Sequence, residues 1–116
     1  MLFIYKVMNH IDIEIEVKKI VSKQTGYNFK QLSLKTDLSR DLGVDGDDAM
    51  ELLENFSQEF QVDMSEFEFE RYFGWEAGAD PFALIAMLFL SSNSKLEPLT
   101  IQDLINAAVS KKWLKA

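Results

Sequence analysis

Four aspartates, Asp41, Asp45, Asp47 and Asp48, fall within eight residues, and Glu51 and Glu54 follow them. Carboxylates at that density can gather a hard cation or meet a basic surface. A specific calcium loop is not expected, because an EF-hand needs a longer loop closed by a bidentate glutamate. The cluster by itself supports only weak, nonspecific divalent binding. Other chemistry is thin. His10 is the sole histidine, so a Ser–His pair would rest on one residue near the terminus, where a structural or surface role is expected. There is no cysteine, which excludes disulfides and thiolate metal sites and suits a reducing compartment. Gly43-Val44-Asp45-Gly46 is too short and too acidic to cradle phosphate. The expectation is a protein with no catalytic residues, no metal and no cofactor.

Gly43 and Gly46 turn the chain into a helix that ends near Gln61. Asp45 is the expected N-cap, and Asp47 and Asp48 place negative charge at the positive end of the helix dipole. At helical spacing Ala49, Leu52, Leu53, Phe56 and Phe60 share an arc of roughly 100°, wide enough to face a core. Asp47, Asp48, Glu51, Glu54, Asn55 and Gln58 fill the adjoining arc. Met50 lies between the two faces.

The run Asp41-Leu42-Gly43-Val44-Asp45-Gly46-Asp47-Asp48-Ala49-Met50-Glu51-Leu52 resembles the signature of acyl carrier proteins. In that family an Asp-Leu-Gly-x-Asp-Ser-Leu segment opens an acidic second helix, and the serine carries 4′-phosphopantetheine. Laid against it without a gap, Asp45 matches the aspartate, Gly46 takes the serine position and Asp47 replaces the leucine. The resemblance extends over about residues 12–65 and returns in the last helix. More closely, the chain is similar to a family of small uncharacterised bacterial proteins with this altered motif and a later insertion. It implies a mainly α, acyl carrier protein-like helical bundle, a single domain over 1–116, with an insertion at about 66–98 between the second and last helices. It also implies that the attachment hydroxyl is missing, since Ser39 and Ser57 stand elsewhere.

Composition agrees with an ordinary folded domain: 116 residues, 47% hydrophobic and 12% aromatic. No apolar stretch approaches the ~20 residues of a membrane span. The apolar start, Met1–Met8, lacks a basic leader and a cleavage site, so a cytoplasmic protein is expected. The net charge of −7 is localised: residues 41–70 hold 11 of the 19 acids and no lysine or arginine. The rest of the chain carries 8 acids against 12 bases. Such a field disfavours nucleic acid and anionic membranes and favours a basic protein partner. A merely solubilising helix face is the alternative.

Elsewhere, Ile11-Asp12-Ile13-Glu14-Ile15-Glu16-Val17 alternates like a strand. The charges reverse that reading: acids precede Lys18, Lys19 and Lys23, as a helix dipole prefers, and Glu14 and Lys18 stand four apart. A helix over 12–25, stopped by Gly26, is expected. In the loop over 27–44, Leu32, Leu34, Leu38 and Leu42 are the expected inward anchors. Glu66–Phe73 alternates acid with aromatic and reads as a strand, a turn of helix or a clamp over the core. Asp80-Pro81 opens an expected helix over 81–91 whose residues Phe82–Leu90 are apolar on nearly every side, followed by a polar linker. A last helix over 100–111 starts at a capping-box-like Thr100…Asp103 and buries Ile101, Leu104, Ile105 and Ala108.

Two function classes compete. One is a carrier-like, non-enzymatic binding module without phosphopantetheine. It would dock a basic partner, such as a fatty-acid or polyketide-type enzyme, through Asp45, Asp47, Asp48, Met50, Glu51 and Glu54. The other is a small acidic inhibitor or immunity-type protein. A divergent functional carrier, modified at another residue, is a third reading.

Overall fold

The computed structural model describes residues 10–44, 46–73 and 97–115. Four α-helices make up this part: α1 (His10–Thr25), α2 (Gly46–Phe60), the short α3 (Phe69–Tyr72) and α4 (Ile101–Ser110), with a 3₁₀ turn at Phe29–Gln31. The only β pairings among the described residues are two isolated bridges, Asp37 with Thr100 and Asp63 with Lys112. The fold is mainly α, as expected of a carrier-like bundle. Asp45, the Asp80-Pro81 pair, the Phe82–Leu90 stretch and the linker after it lie outside the described residues.

The alternating isoleucines of α1 are helical. Successive odd positions turn by about 200° in a helix, so they scatter around it instead of sharing one face. Val17 is fully buried while Ile11 is 68% exposed. Lys18 Nζ meets Glu14 Oε2 at 2.9 Å, the pair expected from their spacing. Gly26, at φ +82°, ends the helix by donating its amide to the Ser22 carbonyl.

The loop after α1 is held by the start of α4. Leu38 N–H donates to Leu99 O at 2.9 Å, Ile101 N–H to Thr36 O, and Gln102 N–H to Leu34 O. The Asp37 carboxylate accepts the amides of Ser39 and Arg40, which closes the turn before α2. Leu32 and Leu38 are buried and Leu42 packs at the core edge, but Leu34 is 37% exposed and is not an anchor. Its carbonyl is committed to α4, and two residues on Thr36 is the buried side chain. Spacing along a loop does not fix facing as it does in a helix.

On α2 the residues expected inside, Ala49, Leu52, Leu53, Phe56 and Phe60, are all buried. Burial of each large side chain stabilises by about 1.5–3 kcal/mol, which fixes the helix far more firmly than propensity does. After Gln61 the alternating acid–aromatic stretch resolves as a clamp ending in one turn of helix. Phe67, Tyr72 and Trp113 pack ring on ring, with centroids 4.9–5.7 Å apart. Glu97 then meets Arg71 twice, backbone to backbone at 2.8 Å and carboxylate to guanidinium at 2.7 Å.

The last helix has the predicted capping box. Asp103 N–H donates to Thr100 Oγ1, and Thr100 N–H donates to Asp103 Oδ2 at 3.0 Å. It ends at Lys111, which takes the left-handed conformation (φ +67°) that more often belongs to glycine.

Candidate functional site

The sequence divides α2 into two faces, and the fold buries only one of them. Asp47, Asp48, Glu51, Glu54 and Met50 are all exposed, Met50 by 57%. The four carboxylates therefore stand in water beside one accessible thioether. Asp45 lies outside the described residues. No described residue of α2 is basic, so nothing within the helix neutralises the strip.

Gly46 starts α2, buried and at φ +53°. That left-handed backbone is open to glycine, whereas an L-residue in it brings Cβ against the following carbonyl. The turn into the acidic helix is thus built on a residue with no side chain.

Toward its C-terminal end the acidic face borders an open groove. Glu51, Asn55 and Glu59 line it together with Lys23 of α1 and Lys111 after α4. Asn55 Nδ2 reaches across to Gln24 Oε1 at 3.3 Å. Glu59 was not among the expected site residues, although its charge was visible. The two lysines were not legible as neighbours of α2, because they arrive from segments far away in sequence. Among the described residues, the acidic strip is thus bordered by cations toward its C-terminal end.

Chemically, exposed carboxylates at this density can attract and orient a cationic group. Among the described residues no three metal-ligating side chains converge. No described helix is long and apolar enough to cross a membrane. Beyond α2, Asp63 is held below the ordinary aspartate value by the Ser65 amide, then by the Ser65 hydroxyl, against a desolvation penalty and with help from Lys112.

Comparison with known proteins adds lineage to this geometry. The acyl carrier protein of Trieres chinensis is 34% identical over 50 residues, a stretch covering 43% of this chain and 62% of that protein. The chain thus spans less than two thirds of that relative. The acyl carrier protein of Rickettsia bellii (strain RML369-C) is 31% identical over 65 residues, covering 55% of this chain and 76% of that protein. No solved structure matches the chain. A family model described as "Protein of unknown function (DUF1493)" matches residues 5–116. The chain therefore belongs to this family of unknown function, and part of it is homologous to acyl carrier proteins.

Proposed function

We propose that this protein is a carrier-like binding module, not an enzyme, that docks a basic protein surface through α2 and bears no phosphopantetheine. One observation carries the reading: Asp47, Asp48, Glu51 and Glu54 are exposed on a helix whose opposite face is buried, with Met50 open beside them. Rows of charge steer encounter and select partners, while an accessible methionine supplies adaptable apolar contact. The homology to acyl carrier proteins favours an enzyme of fatty-acid or polyketide type as the partner.

Gly46 supports the loss of the prosthetic group in two ways. Aligned with the carrier signature it stands where the serine belongs, so the hydroxyl that would attack coenzyme A is missing. It is also buried at positive φ, a conformation unsuited to a presented side chain. Ser39 is half-buried in the loop, and the Ser57 hydroxyl donates to Glu54 O at 3.0 Å within the helix.

Intact-mass spectrometry after incubation with coenzyme A and a broad-specificity phosphopantetheinyl transferase tests the second half of the reading. An unchanged mass is expected, and a gain of one phosphopantetheine would contradict it. The docking half is tested by binding to a matched basic partner at increasing salt. It should weaken steadily, because exposed charges are screened over ~8 Å at physiological ionic strength.

A further inference from the structure

Glu51 belongs to two features at once. It is one of the exposed acids of the proposed docking row, and it lines the groove beside α2. A surface that lies on Glu51 and Glu54 therefore meets the groove as well. Two cations, Lys23 and Lys111, line that groove with Glu51 and Glu59. They are not equivalent. The Lys111 ammonium is committed to the Phe60 carbonyl at 2.7 Å. Within α1, Lys18 is held by Glu14 and Lys19 by Glu16. Lys23 is exposed, and among the described residues its side chain forms no ion pair and no hydrogen bond. The next residue, Gln24, accepts from Asn55 Nδ2 at 3.3 Å, which brings the end of α1 level with α2 just past Glu54.

We propose that the partner's docking surface carries both signs of charge, an inference that rests on the docking reading above. A row of arginine or lysine lies over Asp47, Asp48, Glu51 and Glu54, and beyond it an aspartate or glutamate enters the groove and pairs with Lys23. The reason is desolvation. An ammonium in water is strongly hydrated and needs no partner. A surface laid over the groove removes that water, and a charge covered without its opposite is penalised. A partner that continued its basic row across the groove would set like charge on Lys23, which costs more still. A carboxylate there satisfies the lysine and leaves Glu51 and Glu59 to the partner's bases. The change of sign also fixes which way along α2 the partner lies. Asp47 to Glu54 spans about 10 Å of helix, so the carboxylate belongs roughly one turn beyond the partner's last base.

The test uses the full chain and three synthetic helical peptides bearing the same row of four arginines. One carries glutamate one turn after the row, one carries it one turn before, and the third has glutamine at both places. On net charge alone, an added carboxylate weakens binding to a chain of charge −7. Fluorescence anisotropy at low salt should instead show one glutamate peptide binding about threefold tighter than the glutamine peptide, the gain typical of an exposed pair. Lys23→Gln should abolish that gain. The same variant should bind the glutamine peptide as tightly as the parent does, or more tightly, with an unchanged circular dichroism spectrum because Lys23 is exposed.

Glutamate peptides that bind no tighter than the glutamine peptide, or whose gain survives in Lys23→Gln, would overturn the proposal and leave the docking reading standing. Failure of the docking reading has a different mark. The glutamine peptide would then not bind, or would bind the Glu51→Lys, Glu54→Lys protein as it binds the parent, and the proposal would fall with that reading.

Discussion

The Lys111 ammonium donates a 2.7 Å hydrogen bond to the carbonyl oxygen of Phe60, joining the end of α4 to the end of α2 across 51 residues of sequence. A helix C-terminus leaves its last carbonyls unpaired and negative, and a cation there satisfies both needs. Lys111→Met keeps the aliphatic stem and removes the donor. Stability should fall by about 1 kcal/mol, seen as a drop of a few degrees in thermal midpoint.

The cap at the other end of α4 is reciprocal. Thr100→Ala removes the hydroxyl that accepts from Asp103 N–H. A loss of about 1 kcal/mol in chemical denaturation is expected, typical of a lost N-cap. Asp103→Asn should cost less at the cap, but it also weakens the 3.1 Å pair with Lys115.

Gly46→Ser restores a hydroxyl at the start of α2. Because the residue sits at φ +53°, the change should destabilise the protein by about 1–2 kcal/mol, read by denaturant titration. An unchanged or raised stability would show that α2 can begin with an ordinary backbone and that the glycine is dispensable.

Asp63 gives a pH signature. Its folded-state pKa lies below the ordinary 3.8, chiefly because the Ser65 amide donates to its carboxylate at 2.9 Å. A depressed carboxylate contributes stability above its unfolded pKa and loses it as pH falls through the folded value. The window is therefore acidic, below about 3.8. An NMR titration should place the Asp63 carboxyl below its ordinary range. Ser65→Ala should return only part of the shift, since the amide remains.

What was legible in the chain followed from periodicity and end chemistry. Leu52, Phe56 and Phe60 announce their burial by spacing, and Thr100 and Asp103 announce a helix start. Leu34 faces outward against expectation because a loop has no period, and its direction depends on where its carbonyl is committed. The Lys111–Phe60 contact and the Asp63–Lys112 bridge are tertiary, and no local pattern encodes them. For the candidate site, the acidic row was readable residue by residue. The lysine-bearing groove at its end was not, since it depends on how α1 and the C-terminal segment close on α2.

The central claim is that α2 docks a basic partner through its charges, and charge reversal tests it most directly. Glu51→Lys with Glu54→Lys changes two exposed residues away from Leu52 and Phe56, so the core should be unaffected. Exposed charges of this kind contribute about 0–1 kcal/mol to stability. Captures from native extract by the parent and the variant, quantified by mass spectrometry across a salt series, give the comparison. The account predicts that proteins with basic surfaces are retained by the parent at low salt, released as salt rises, and absent from the variant. An identical captured set for both proteins, indifferent to salt, would contradict it.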